Sequence, residues 1–136
     1  MASGDDGVHS PNARNGTDFC GYNPSYPSTS QYVTAVGATF GPEFGQPERA
    51  CQADLGGIIT SGGGFSTLIP LPSWQDGAVK GYFKAVEKQP VAGFGRGRAI
   101  PDVSLLGHNY QVIIGGNEYY VSGYGRGFPT EFLTQL

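Results

Sequence analysis

The chain has 136 residues, a length that suits a single domain, and only 14% of them are charged, which argues against long solvated helices. Its net charge of -3 argues against nucleic acid or an anionic membrane surface as the main partner. No apolar run approaches the roughly 20 residues of a membrane helix. The 23 glycines alternate with runs of Val, Ile, Tyr and Phe, so they predict a turn-rich β or α/β domain.

The first half of the chain predicts two strands between loops. Residues 1–30 are rich in Gly, Pro, Ser and Asn and should form loop. Residues 32–36 are mostly apolar and β-branched, which predicts a central strand that Gly37 stops. Residues 41–56 should be loop again, and residues 58–60 form a short strand candidate.

A helix is predicted after Pro72, with Ser73 as its N-cap. One apolar face recurs at helical spacing, formed by Val79, Tyr82, Phe83 and Val86. Two glycines inside this helix each cost about 1 kcal/mol relative to alanine. We therefore expect Gly77 and Gly81 to mark close packing against a neighbouring backbone.

The last part of the chain predicts more strands. Residues 93–97 should form a surface loop, and residues 103–106 a short strand. Residues 110–114 and 118–121 flank Gly115-Gly116-Asn117, which is a hairpin signature. Strands that alternate with a helix indicate the α/β class.

The two cysteines leave two alternatives open. Cys20 and Cys51 are either buried unpaired thiols or a disulfide that cross-links a loop-rich stretch. Asn15-Gly16-Thr17 fits a glycosylation acceptor and leans towards an oxidising compartment. Met1 to Asp5 has neither a basic start nor an apolar segment, so we expect no signal peptide here.

Three stretches carry the chemistry of this sequence. Residues 2–7 (Ala-Ser-Gly-Asp-Asp-Gly) place a carboxylate between glycines, as an ordinary turn also would. Residues 58–66 contain three consecutive glycines, which permit a backbone path that side chains would block. Residues 97–104 (Gly-Arg-Ala-Ile-Pro-Asp-Val-Ser) lead through the hairpin to Val121-Ser122-Gly123.

In this order and spacing the stretches resemble the sedolisin family, acid-active serine-carboxyl peptidases that include lysosomal tripeptidyl-peptidases. Residues 27–39 and 73–75, with Tyr82, also resemble family segments. The resemblance implies a partial subtilisin-like α/β fold with a mostly parallel sheet, a flanking helix and a β-hairpin. We expect a partial peptidase domain over residues 1–123 and a divergent tail over residues 124–136.

The resemblance also implies roles for single residues. Asp5 matches the family's aspartate of the oxyanion hole, where a protonated carboxyl group donates a hydrogen bond to the developing negative charge. Ser61, Gly62, Gly63 and Gly64 match the glycine-rich segment that lines the substrate cleft. Asp6 is better explained as a solvated turn residue.

The family's nucleophile motif is Ser-Gly-Thr-Ser-x-Ser-x-Pro, and here residues 122–129 are Ser-Gly-Tyr-Gly-Arg-Gly-Phe-Pro. Gly125 therefore stands where the serine nucleophile belongs, and Ser122 matches only the first serine of the motif. The family's Glu base and helper Asp are expected upstream of Met1. This chain is therefore predicted to be inactive as a peptidase.

We expect no cofactor or metal in this chain, because the family's calcium site falls beyond Leu136. His9 and His108 share no ligand-like spacing with the cysteines, which argues against zinc. The expected partner is a peptide or protein substrate of the parent enzyme, and the chain is expected to be a monomer. The family is secreted or lysosomal, which leaves the location of this chain open.

Two rival hypotheses remain beside the inactive peptidase fragment. The chain could be a non-catalytic peptide-binding pseudo-peptidase that takes up extended peptides by strand addition. Alternatively it is a non-functional truncated gene product, since a parallel sheet with an unpaired edge is prone to aggregate.

Overall fold

The structure is a computed structural model that describes residues 1–9, 24, 26–86 and 96–122. These residues form seven strands and one α-helix. In chain order they are β1 (Val36–Phe40), β2 (Arg49–Ala50), β3 (Gly64–Pro70), α1 (Asp76–Ala85), β4 (Gly97–Ile100), β5 (Val103–Leu106), β6 (Tyr110–Ile114) and β7 (Asn117–Val121). Short 3-10 turns lie at Pro42–Phe44, Ala53–Leu55 and Ser73–Gln75.

Strand β1 is the centre of a three-stranded sheet with the order β2-β1-β5. It pairs parallel with β5 and antiparallel with β2. Near its start, Val36 also forms a parallel bridge with Ala2. Small and apolar residues suit a strand covered on both faces, and the core cluster beneath this sheet consists of Ala38, Phe40, Cys51 and Ile59.

Two further pairs of strands complete the architecture. Strands β3 and β4 are antiparallel, and so are β6 and β7. The β6–β7 hairpin turns through Gly115 and Gly116, whose φ angles are 58° and 84°. Positive φ at both central residues is the requirement of a type I′ turn, which glycine meets without steric cost. The predicted hairpin is therefore present.

Helix α1 packs against β3 through aromatic rings. The ring of Phe65 lies 5.4 Å from that of Phe83 and 6.2 Å from that of Tyr82, between ring centroids. Val79 is buried on the same helix. The predicted N-cap is wrong, because Ser73 begins a 3-10 turn and no side-chain hydrogen bond caps either segment.

The surroundings of the two glycines in α1, Gly77 and Gly81, also differ from the prediction. No described atom lies within 4 Å of a Cβ built at Gly77 or Gly81. Close packing against a neighbouring backbone is therefore not their explanation among the residues that the structure describes. Both positions face open space on an exposed part of the helix.

The mixed α/β class is confirmed, and the details differ in part. Strand β1 begins at Val36, so most of the predicted strand over residues 32–36 lies before it. Residues 58–60 form no strand, although Thr60 makes a parallel bridge with Asp6. Within the described ranges, β1–β5 is the parallel pair among named strands, and the other three pairs are antiparallel. The boundary expected at residues 123–124 lies outside the described residues.

Candidate functional site

The structure brings together two of the segments that the sequence singled out. The Asp5 turn (residues 3–7) lies along residues 60–63, which lead into the glycine run (Ser61–Gly64). Four backbone hydrogen bonds join them: Thr60 N–H to Asp5 O at 3.1 Å, Gly7 N–H to Thr60 O at 3.0 Å, Gly62 N–H to Gly4 O at 2.6 Å and Gly63 N–H to Gly7 O at 3.0 Å. These main-chain hydrogen bonds fix the carboxylate-bearing turn against the glycine run.

The closest approach between the two segments is at Gly62. A Cβ on this residue would lie 2.0 Å from the carbonyl oxygen of Ser3 and 2.7 Å from the nitrogen of Gly4. Neither partner is a flexible side chain that could move away, so only glycine fits. Glycine is therefore required at position 62 because the glycine run packs directly against the backbone of the Asp5 turn.

The glycine run is also held to the central sheet. The Ser61 hydroxyl accepts a hydrogen bond from Ala38 N–H at 2.9 Å, and Ser61 N–H donates to Cys51 O at 2.8 Å. Ser61 was predicted to bind substrate, and in the structure its polar groups bond to the protein itself. These two hydrogen bonds fix the position of the glycine run relative to β1.

Asp5 itself is half-buried, and the Cys51 thiol is buried. Burial raises the pKa of the Cys51 thiol, and the negative charges of Glu43 and Asp5 raise it further. The thiol is free in this structure and lies 3.4 Å from Ile59 O. Cys20 lies outside the described residues, so both alternatives for the two cysteines stay open.

A buried charge network next to the glycine run escaped sequence reasoning. The side chain of Arg98 is fully buried, and its guanidinium lies 2.6 Å from the carboxylate of Asp102. It also donates to the carbonyl oxygens of Ser30 and Val33, at 3.3 Å and 3.2 Å. A buried ion pair is tolerated where the remaining hydrogen-bonding groups are satisfied, and this one meets that condition.

Gln75 completes this Arg98 network (Arg98, Asp102 and Gln75). Its side-chain nitrogen donates to Ala99 O at 2.8 Å and to Asp102 at 3.1 Å, while its side-chain oxygen accepts from Ala99 N–H at 2.9 Å. Gln75 and Ala99 therefore tie the start of α1 to β4. The sequence had suggested that residues 93–97 form a surface loop, but Gly97 is buried and begins β4.

Trp74 lies at the surface. Its side chain is 59% exposed and lines an open depression of about 400 Å³. The Arg98 guanidinium lies 5.0 Å from the centroid of its ring. A cation at this distance from an indole face is attracted to the ring and helps fix its orientation.

A second buried pair lies on the other side of the core. His108 Nδ1 is 2.7 Å from Glu43 Oε1, and the imidazole contacts the rings of Phe40 and Phe44. Among the described residues, no group of three or more His, Cys, Asp or Glu side chains could hold a metal ion. Nor does any helix in the described ranges have the length and apolarity to cross a membrane.

Ser122 closes the base of the hairpin, where its hydroxyl accepts a hydrogen bond from Asn109 N–H at 2.7 Å. That Ser122 is not the nucleophile stays a prediction. Gly123, Tyr124 and Gly125 lie outside the described residues. The nucleophile position therefore has no structural description here.

No family model matches the chain. Among curated proteins, tripeptidyl-peptidase SED2 of Arthroderma otae is 40% identical over 131 residues, which are 95% of this chain and 20% of that protein. Tripeptidyl-peptidase 1 of Bos taurus is 39% identical over 94 residues, which are 68% of this chain and 16% of that protein.

Among solved structures, a Pseudomonas sedolisin is similar with a TM-score of 0.58 and 28% identity. That structure is described as a serine-carboxyl proteinase complexed with two molecules of pseudo-iodotyrostatin. The similarity covers 90% of this chain and 32% of that one.

The solved structure that the chain resembles is described as a serine-carboxyl proteinase, which gives the class of this family. Within that class the chain belongs to the sedolisin family, and it is similar to tripeptidyl-peptidases. The chain spans about a fifth of the length of the curated relatives that it matches most fully.

Proposed function

We propose that this chain is a segment of a sedolisin-type domain that hydrolyses peptides at acid pH, and that the chain on its own is inactive. The observation that carries the proposal is the fixed contact between the Asp5 turn and the glycine run. It supports a cleft in which Asp5 is the oxyanion-hole carboxyl and Ser61, Gly62, Gly63 and Gly64 line the substrate path.

The chemistry of such a cleft depends on protonation. At acid pH a neutral Asp5 carboxyl group donates a hydrogen bond to the oxyanion, whereas a carboxylate would repel it. Main-chain hydrogen bonds already fix the turn, so little reorganisation is needed during the reaction. The parent protein is proposed to be secreted or lysosomal, where acid pH occurs.

Inactivity follows from Gly125, which stands at the nucleophile position and has no hydroxyl group. A serine peptidase without its triad retains only the small part of its rate that comes from binding and the oxyanion hole.

The whole parent domain is proposed to contain the mostly parallel sheet of the subtilisin-like fold. The parallel β1–β5 pair and the bridges Ala2–Val36 and Asp6–Thr60 support this extension. Helix α1 and the β6–β7 hairpin would flank that sheet.

Cleavage of a chromogenic peptide at about pH 4, the range in which carboxyl groups titrate, tests the proposal. We expect no turnover by this chain and no difference between it and Asp5→Asn. An active homologue under the same conditions serves as the positive control. Robust cleavage that Asp5→Asn abolishes would overturn the claim of inactivity.

A peptide-binding pseudo-peptidase is the second candidate, and the intact main-chain path of the glycine run favours it. Gly63 offers a sharp probe, since a Cβ there would meet the described atoms only at ordinary distances of 3.5 Å and 3.8 Å. Gly63→Ala should therefore fold and yet obstruct a peptide that lies along the run. A matched control is Gly77→Ala on the exposed helix.

Calorimetric titration with an extended peptide distinguishes the outcomes. Binding that weakens in Gly63→Ala but not in Gly77→Ala supports the pseudo-peptidase, and no binding by a folded monomer excludes it. An aggregated sample without a cooperative thermal transition would favour the non-functional product. Aggregation would use strand β5 as the exposed edge of the sheet, because its Val103 and Leu105 side chains are 48% and 42% exposed.

A further inference from the structure

The corner formed by Ile100 and Pro101 lies between the glycine run and the Arg98 network. Strand β3 begins at Gly64, which pairs with Ile100 of β4. A Cβ built at Gly63 would lie 3.5 Å from Ile100 O and 3.8 Å from Cδ of Pro101. This corner is therefore packed directly beside the main chain of the glycine run.

The ring of Pro101 also packs against β1. A Cβ built at Gly37 would lie 2.8 Å from Cγ of Pro101 and 3.0 Å from the hydroxyl oxygen of Ser61. Glycine at position 37 thus lets both groups reach the backbone of β1. Because the same proline ring lies beside β1 and beside the glycine run, a shift of the corner alters the packing between them.

Asp102, the next residue, holds the corner to the start of β1. Its N–H donates to Ala35 O at 2.8 Å, and its carboxylate accepts a hydrogen bond from Ala35 N–H at 2.7 Å. The same carboxylate lies 2.6 Å from the buried guanidinium of Arg98. Charge-assisted hydrogen bonds of this kind are among the stronger ones in proteins, so a single carboxylate anchors the corner.

Gln75 holds the corner from the start of α1. Its side-chain amide both donates to Ala99 O and accepts from Ala99 N–H, at 2.8 Å and 2.9 Å, and it donates to Asp102 at 3.1 Å. An amide supplies a donor and an acceptor together, which a carboxylate cannot. Since Gln75 is buried, its removal would leave the polar groups of Ala99 without these partners.

We propose that Gln75 is a positioning residue for the glycine run, acting through Asp102 and the Ile100-Pro101 corner. The Asp5 turn meets the run at Gly62 and the corner meets it at Gly63, so two different parts of the chain fix two neighbouring glycines. The meaning of this link for a substrate rests on the proposed function. The mechanical link itself needs no substrate.

General stabilisation of the fold is the simpler role for Gln75. The two roles differ in where the effect of a substitution appears. Loss of general stability lowers, by one common factor, the protection of all amides that exchange through global unfolding. Loss of a positioning contact acts on the glycine run in addition. Amide hydrogen exchange measured residue by residue therefore separates the two roles.

The reporters are the amides of Gly62 and Gly63, which donate to Gly4 O at 2.6 Å and to Gly7 O at 3.0 Å. The reference is the amide of Cys51, a buried residue whose N–H donates to a carbonyl group of β1 at 2.9 Å. Exchange is followed by NMR on the nitrogen-15-labelled chain.

Gln75→Met keeps the approximate volume of the side chain and removes its hydrogen bonds. We expect the protection factors of the Gly62 and Gly63 amides to fall by about tenfold more than that of Cys51, the effect of about one lost buried hydrogen bond. Gln75→Ala should show the same selective loss, with a larger common fall because it also leaves a cavity. The matched control is Asp76→Ala, which removes an exposed polar side chain at the start of the same helix and should show no selective loss.

An equal fall at all three amides in Gln75→Met would assign Gln75 to general stability and overturn the positioning role. A selective loss in Asp76→Ala as well would also overturn it, because the effect would then belong to the helix and not to the buried amide. Unprotected Gly62 and Gly63 amides in the unchanged chain would contradict a fixed glycine run. Absence of peptide binding, in contrast, bears on the proposed function alone, since no peptide enters this measurement.

Discussion

Gly62 and Ser3 are in direct main-chain contact, such that a Cβ on Gly62 would lie 2.0 Å from the Ser3 carbonyl oxygen. This contact fixes the Asp5 turn beside the glycine run. It therefore links the stability of the fold to the shape of the candidate site.

Gly62→Ala is expected to lower the free energy of unfolding by about 2–3 kcal/mol or more, because the backbone of one segment must shift to admit the methyl group. Urea denaturation followed by circular dichroism measures the change.

Gly81→Ala is the matched control for that substitution. No described atom lies within 4 Å of the new methyl group, and alanine favours the helix by about 1 kcal/mol relative to glycine. We expect this variant to be more stable than the unchanged chain. Similar losses in both variants would show that the Gly62–Ser3 contact is not the cause.

Asp102→Ala is expected to cost about 3–5 kcal/mol, because it leaves the buried guanidinium of Arg98 without its counter-ion. The exposed pair Asp76–Lys80 has the same spacing in sequence and the same 2.6 Å separation. Asp76→Ala should cost only about 0.5 kcal/mol, since surface pairs contribute little. Thermal and urea unfolding of both variants test the contrast, and equal costs would contradict the importance of burial.

The Glu43–His108 pair predicts a loss of stability at acid pH. Burial alone would raise the pKa of Glu43, but hydrogen bonds from the backbone amides of Glu43 and Gly41 and from His108 outweigh it and hold that pKa below its usual value. A lowered pKa in the folded state stabilises the protein above the unfolded pKa, and this contribution is lost as the pH falls through the folded pKa.

Glu43→Gln should therefore flatten the dependence of unfolding free energy on pH below about pH 4.5, the ordinary value for this group. Urea denaturation between pH 3 and pH 6 measures it. Glu118→Gln on the exposed hairpin provides the control and should keep the original slope. If Glu43→Gln keeps that slope as well, the pair has no role in acid unfolding.

The Cys51 thiol should react slowly with iodoacetamide in the native protein, because it is buried and burial raises its pKa. Mass spectrometry of a Cys20→Ser variant isolates this residue, and labelling should become fast in denaturant. Non-reducing mass spectrometry of the unchanged chain distinguishes the two alternatives for Cys20 and Cys51, unpaired thiols or a disulfide. Fast labelling of Cys51 under native conditions would contradict its burial.

Local patterns predicted the local features well. The Gly115-Gly116 turn follows from glycine chemistry, and the strand at residues 103–106 from a short, mostly apolar run after Pro101-Asp102. Both signals act over a few residues. Strand β3 over Gly64–Pro70 was missed because its register with β4 is irregular and its side chains do not alternate between buried and exposed.

The Arg98 network shows what local patterns could not provide. The sequence presented Arg98 only as part of the segment over residues 97–104. Its buried guanidinium donates to the carbonyl groups of Ser30 and Val33, which precede it by 68 and 65 positions in the chain. Its i,i+4 spacing to Asp102 was the one available signal. The exposed Asp76–Lys80 pair has the same spacing, so the spacing alone does not indicate burial.

The sequence by itself determined the family, the mixed α/β class and the segments that bear the Asp5 carboxyl and the three glycines. These depend on residue identity and order, which need no coordinates. Only the tertiary structure decided why Gly62 must be glycine, which side chain of the glycine run bonds to the sheet, and that Trp74 lies at the surface. Each of these arises from contacts between residues distant in the chain, and such distances are set only when the whole backbone has packed.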